Sequence, residues 1–480
     1  MNPVRKNKIV LADYDYLKDI KNRLLLAEMS LFEVAVINEV LNTSIKIPIA
    51  KLITSIGCER EELLEALSKF ETTGLLAVEN NMVLVDKDMR KYYELQLAKF
   101  DEDFKPDMEF LQSLLRKVPI HILPAWYSIP RASNNIFESL LEKYLQTPRI
   151  FQRYLMELHV GEPLMTNIVD DVYHAPNFEI SSDALRKKHN LTKEEFEETL
   201  LYLEFNFVCC LCYRKEEGSW KEIVTPFHEW KEYLRFVSEG RPKPIEKTEE
   251  IVLNSHSGFA IIADMSAVLA AAKSAPLSME QSKKNVSSLT ATAVKALAGQ
   301  CPSMPACTKA NLDEHQQYLS SIARKLCLIH LAENCKDRLS PLPQAVEWLN
   351  LPTEDRALFI HRHPYNKVID SEVDPELNTE KNLREVEKSL EGLSRVGWIY
   401  FDDYLKGLSA PIGHTEPISL VKKGRRWQYK IPQYNEEEKQ YVKAVLFERL
   451  FQAGLVAIGT HQGKDCFSVT PFGHTVLNPR

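Results

Sequence analysis

The tightest constraint on what this chain can fold into lies between Asn435 and Arg480. An acidic start, Glu436-Glu437-Glu438, leads into Val442, Val445, Leu446, Leu450 and Phe451. Apolar residues recurring at three and four positions mark one buried helix face. Gly454 ends the pattern, because glycine alone enters the left-handed conformation after a helix without steric cost. The runs LVAIG and CFSVT then flank the turn-rich THQGKD and read as a β-hairpin. Thr470-Pro471-Phe472-Gly473 closes the unit.

The same order occurs near the other end. IAKLITSIG and EREELLEALSKFET read as two helices, with Leu63, Leu64, Leu67 and Phe70 inward. Gly74 follows, then LLAV, an Asn80-Asn81 turn that tolerates positive φ, and MVLV. Helix, helix, glycine and hairpin predict a winged helix over 14–90. A helical connector over 91–172 is broken by prolines at 119, 124, 130, 148 and 163. A second winged helix is expected over 173–237, where Thr192 to Glu195 forms a capping box before KEEFEETLLYLEF. Its ending Val224-Thr225-Pro226-Phe227 recurs as Val469-Thr470-Pro471-Phe472, which suggests an internal repeat. A linker and Ala/Ser-rich segment is read over 238–310, as small helices or without fixed structure. A helical or winged-helix-like domain is read over 311–370, and a C-terminal winged-helix domain with a basic hairpin over 371–480. There, helix Asn378 to Arg395, Gly397 and a strand Trp398 to Phe401 are followed by RRWQYKIP as the returning strand. The expected class is mainly α with small β-hairpins, in tandem winged-helix domains joined by helical connectors.

At 480 residues the chain is too long for one core. With 44% hydrophobic and 26% charged residues it has the composition of a soluble protein. Arg5, Lys6 and Lys8 precede too short an apolar run for a signal peptide, and Phe259 to Ala272 is too short for a membrane span. Nine cysteines without a disulfide framework fit a reducing compartment, so a cytoplasmic protein with no membrane contact is expected. A net charge of −7 confines any nucleic-acid contact to a local patch.

That patch is Lys422, Lys423, Arg425, Arg426, Trp427, Tyr429 and Lys430, where cations would meet phosphates and rings would stack on bases. The plain alternative is a solvated strand whose aromatic residues pack on the core. Arg186, Lys187 and Lys188 form a smaller patch. The candidate recognition helices carry Glu59, Glu61, Glu62 and Glu65, then Glu194, Glu195, Glu197 and Glu198, then Glu436 to Glu438, all repelled by phosphate. Such helices suit protein docking better than groove reading.

Catalytic and metal chemistry have little support. The turn Gly459 to Lys464 lacks P-loop spacing. Cys209, Cys210 and Cys212 read as buried strand residues, Cys327 and Cys335 as helix burial, and His361 and His363 as surface histidines beside Pro364. A non-catalytic chain with no metal and no cofactor is expected.

Two segments resemble a known family. LCLIHLAENCKDRLSPLPQAVEWLNLPTEDRALFI is similar to a stretch of bacterial helicase-associated proteins that share a region with the N-terminus of XPB-type DNA helicases. The close Val469-Thr470-Pro471-Phe472-Gly473 is similar to the end of that family's winged helices. The match covers about 310–370 and 436–477, and the family's usual later region has no convincing copy here. The resemblance implies an accessory protein in DNA metabolism or transcription. The expectation is therefore a multi-winged-helix adaptor in DNA transactions that docks a protein partner, with DNA contact through the basic hairpin left open. The alternative is a pure protein-interaction scaffold.

Overall fold

A computed structural model describes residues 9–130, 135–159, 163–281, 287–393 and 395–477. Arg5, Lys6 and Lys8 lie outside them, as do residues 478–480. The chain is mainly helical (54%), with small antiparallel sheets. It divides into two compact units, Met1–Arg235 with Ile418–Ile431, and Phe236–Pro417 with Pro432–Arg480.

The first unit begins with α1 (Tyr16–Ala27) and α2 (Leu31–Asn42). Ser30 separates them: it caps Glu33 N–H, while the Glu33 carboxylate accepts Ser30 N–H, and this reciprocal box starts a new helix. Next come β1 (Lys46–Pro48), α3 (Ile49–Ile56), α4 (Arg60–Glu71), β2 (Leu76–Glu79), β3 (Met82–Val85) and α5 (Lys87–Leu97). The connector holds α6 (Met108–Leu115), α7 (Leu123–Trp126), α8 (Ile136–Leu140) and α9 (Pro148–His159). Then α10 (Pro163–His174), β4 (Ile180–Ser181), α11 (Ser182–His189), α12 (Lys193–Phe205), β5 (Cys209–Glu216), β6 (Ser219–Pro226) and α13 (His228–Glu239) repeat the order seen from α2 to α5.

The second unit uses that order twice more. After β7 (Val252–Leu253) come α14 (Ala260–Ser274), β8 (Leu277–Gln281), β9 (Ser287–Leu289), α15 (Ala291–Ala298), α16 (Leu312–Leu328), β10 (Ala332–Asn334), β11 (Arg338–Pro341) and α17 (Pro343–Leu349). Following α18 (Thr353–Arg362) come α19 (Glu380–Ser389), β12 (Ile399–Tyr400) and α20 (Phe401–Gly407). The hairpin β13 (Leu420–Lys423) and β14 (Arg426–Tyr429) interrupts this copy and groups with the first unit. The copy resumes with α21 (Glu436–Ala444), whose helix continues as a π segment Val445–Leu450, then β15 (Val456–His461), β16 (Lys464–Val469) and α22 (Pro471–Leu477).

In the first, second and fourth copies the first strand pairs with the third, and the third with the second; in the third copy, which carries the additional strand β9, β8 pairs with β11 and β11 with β10. Each copy also turns from its third helix into its second strand through one left-handed residue: Gly74 (φ 77°), Phe207 (φ 65°), His330 (φ 56°) and Gly454 (φ 71°). The residue after it, Leu75, Val208, Leu331 or Leu455, is fully buried. In three copies that residue's N–H reaches back five positions, Val208 to Leu203 O, Leu331 to Leu326 O and Leu455 to Leu450 O, at 2.9–3.0 Å. This closure uses up helix-end carbonyls and plugs the core in one step.

Several expectations are corrected. Of the two readings left open for the Ala/Ser-rich part of 238–310, the helical one matches α14 and α15, with β8 and β9 between them in the third copy. Gly397 precedes a first strand, not a second, and β12 pairs with β16, so RRWQYKIP is not its returning strand. The twin VTPF strings are two residues out of step. Pro226 pairs with Cys209 and Val469 with Val456, each partner lying two residues after the left-handed turn. Cys209, Cys210 and Cys212 are buried as read, but Cys335 is exposed outside any helix. His361 is buried rather than on the surface, and burial holds its ring at about 4 despite Glu387 nearby.

A charge network ties the first unit together. Arg23 on α1, 1% exposed, donates to Glu197 (2.5 Å) and Glu204 (2.7 Å) on α12, and Lys99 reaches Glu204 at 2.9 Å. Asp19, one turn before Arg23, is paired with Lys117 at 3.0 Å and accepts from Tyr92 at 2.6 Å. Burial alone would raise both carboxyls. Arg23 and Lys99 at Glu204, and Lys117 and Arg23 at Asp19, outweigh it and hold each below its ordinary value. A depressed carboxyl stabilises the fold above its unfolded pKa of about 4 and loses that contribution as pH falls through the folded value. Glu204→Gln strands two buried cations and should cost about 3–5 kcal/mol in urea unfolding at pH 7. It should also flatten the loss of stability expected of the native chain as pH falls below about 4.

Candidate nucleic-acid interface

A two-stranded hairpin is marginal by itself, so β13–β14 depends on what holds it. Gly424 (φ 66°) takes the first turn position, where a II′ hairpin needs glycine. Register pairs Leu420 with Tyr429 and Lys422 with Trp427 on one face, and Lys423 with Arg426 on the other. Leu420 and Tyr429 are buried at the base. The Tyr429 hydroxyl donates to Leu145 O at 2.8 Å, and Leu420 N–H to Gln146 O at 2.8 Å. Trp230 and Tyr233 of α13 lie 6.1 and 5.8 Å from the Tyr429 ring.

The basic cluster thus divides by position. Tyr429 is a buried anchor, 7% exposed, and does not present its ring at the surface for a base. Trp427 is half-buried, with Lys422 Nζ 5.7 Å from its ring centre. Lys422, Lys423, Arg425 and Arg426 are exposed around the turn, and among the described residues none meets a carboxylate within 4.0 Å. Lys430 is exposed just past the strand. The smaller patch differs, because Arg186 pairs with Asp183 and Lys188 with Asp171.

The third helix of each copy offers little to a DNA groove. On α12, Glu197 faces inward to Arg23, and α1 packs against this helix. On α21, Glu438 is buried, accepting its own cap and His414 N–H, and the following π segment is buried apart from Phe447. Glu448 accepts the N–H groups of Ile369, Asp370 and Ser371. The third copy's α16 runs through its unit's core, against β9, α14 and α15. In the first copy α4 keeps a wide open face, and it presents Glu61, Glu62 and Glu65. The acidic residues named from sequence are therefore of two kinds, with Glu197 and Glu438 internal.

A cleft of about 790 Å³ in the second unit brings His256, Tyr318, Arg324 and Lys325 together. His256 stacks on Tyr318 at 4.0 Å, its Nδ1 2.7 Å from Ser303 Oγ, while Ser303 Oγ and Tyr318 OH both donate to buried Asp264. A serine whose proton goes to a carboxylate is not presented to histidine as a nucleophile. Burial lowers Lys325 to about 8, and its ammonium is taken up by Asn366 Oδ1 and Lys367 O. Among the described residues no three His, Cys, Asp or Glu side chains converge as a metal site, and no helix is long and apolar enough to cross a membrane.

Comparison with family models, curated proteins and solved structures finds no match for this chain. Replacing Lys422, Lys423, Arg425 and Arg426 together by glutamine should shift unfolding by under about 1 kcal/mol, as exposed unpaired charges do. Tyr429→Ala should cost about 3 kcal/mol or more, while Tyr429→Phe, losing one hydrogen bond, should cost about 1 kcal/mol. Urea melts of the three variants test this division between tip and anchor.

Proposed function

We propose that each helix–strand–helix–helix–strand–strand copy is a winged-helix unit and that the chain is a non-catalytic adaptor in DNA transactions. It docks a protein partner and touches DNA through the hairpin tip. The observation that carries the DNA contact is the exposed group Lys422, Lys423, Arg425 and Arg426 on an anchored hairpin, which meets no carboxylate among the described residues. Packing of α12, α16 and α21 within their own units, and the acidic open face of α4, argue against groove insertion and favour contact with phosphates alone. Such binding is sensitive to salt and indifferent to sequence. The resemblance to helicase-associated proteins favours transcription, repair or helicase-linked settings, and nine free cysteines agree with a reducing, cytoplasmic one. A pure protein scaffold is the second reading, favoured by the open acidic face of α4.

Fluorescence anisotropy with random-sequence duplex and single-stranded DNA, at about 50 and 200 mM salt, separates the two. Binding should weaken with salt. The fourfold glutamine variant should bind more weakly on every sequence, its salt slope smaller by about 0.9 for each phosphate it no longer neutralises. Absence of salt-sensitive binding by the native chain would remove DNA and leave the scaffold.

A further inference from the structure

Beside the hairpin, still within the first unit, a pocket of about 330 Å³ joins α13, β14 and the start of α6. It is lined by the carboxylates of Asp107, Glu229 and Glu232 and the rings of Tyr233, Trp427 and Tyr429. Two of the carboxylates are engaged: Asp107 caps Phe110 N–H at 2.8 Å, and Glu232 accepts from Arg235 at 2.6 Å. Glu229 is different. It is 3% exposed, its Oε1 accepts Met108 N–H at 3.0 Å, and its Oε2 is buried with no hydrogen-bond partner among the described residues. Arg426 also lines the pocket but pairs with none of these acids among the described residues.

A buried carboxyl oxygen without a donor is costly unless a proton or a cation reaches it. Electron-rich rings beside it attract cations and not anions. We propose that this pocket binds the ammonium end of an alkylamine, the chemistry of a lysine side chain or of a free polyamine. Glu229 is the counter-charge and Trp427 and Tyr233 the aromatic walls. The site does not rest on the DNA reading, since it uses Glu229 and two rings and calls on none of the exposed cations at the hairpin tip.

Burial pushes Glu229 up to about 8, helped by Asp107 and Glu109, so near pH 7 it is largely protonated when the pocket is empty. The other groups facing it are Asp107, Glu232, Tyr233, Tyr429, Arg426 and His228, whose ring burial keeps below its ordinary value. Capture of an ammonium at pH 7 must therefore release a proton from Glu229. Affinity should rise from about pH 7 to 9, below the amine's own pKa near 10.

Calorimetry of the full chain with Nα-acetyl-lysine amide, its uncharged norleucine counterpart and spermidine tests the site. Two buffers of different ionisation heat are used at pH 7. The lysine compound should saturate and the norleucine compound should not, and the heat should differ between buffers as the proton leaves. Glu229→Gln should weaken binding by roughly tenfold or more, as loss of a charged hydrogen-bond partner does. Trp427→Ala should also weaken it, and serves if the glutamine variant does not fold. Tighter binding of spermidine identifies a free polyamine as the source, and tighter binding of the lysine compound a protein. Equal binding of norleucine, no saturation by either amine at about 10 mM, or an unchanged affinity in a folded Glu229→Gln chain would overturn the proposal.

Discussion

A guanidinium cannot be taken out of water alone, and Arg23 sets the terms for the first unit. Its carboxylate partners lie on α12, so the chain's first long helix packs on the third helix of the second copy. Lys99, Lys117 and Asp19 extend the cluster until three cations face three carboxylates. Glu197, one of the acids that looks in sequence like part of a phosphate-repelling surface, is spent inside this balance. The helix that would enter a groove is covered by its own unit.

What could be read from the sequence was whatever repeats locally. Amphipathic helices, the Thr192 capping box and the Asn80-Asn81 turn each declare themselves within a few residues. The fourfold repetition was only half legible because its marker is a backbone angle. Gly74 and Gly454 advertise a left-handed turn, whereas Phe207 and His330 adopt it without glycine, held by the burial of the next residue. First strands of two residues, such as β4 and β12, are too short to alternate. The Ala/Ser-rich helix α14 buries Ile261, Ile262, Met265, Val268 and Leu269 on one face, but its other faces carry mostly alanine and serine, so the stripe has little polar contrast to stand out against.

The candidate site divides in the same way. Charge shows in a sequence, and the basic run Lys422 to Lys430 could be found by inspection. Which of its rings is free could not, because the Tyr429 hydroxyl is satisfied by a carbonyl 284 residues away. Glu229 was harder still. An acid in the first turn of a helix looks like an ordinary favourable dipole contact. Only the approach of Met108 and the hairpin shows that one of its oxygens is enclosed with no donor among the described residues.

The interruption of the fourth copy by β13–β14 has a consequence in time. The first unit leaves the chain at Arg235 and is completed only by Ile418–Ile431. At ordinary rates of about 5–20 residues per second, synthesis of the intervening segment takes on the order of ten seconds or more. Throughout that interval Leu145, Gln146, Trp230 and Tyr233 present an unfilled seat to the surroundings. The nascent protein therefore passes through an obligatory stage in which this apolar surface is open to a chaperone, or to the hairpin of another copy.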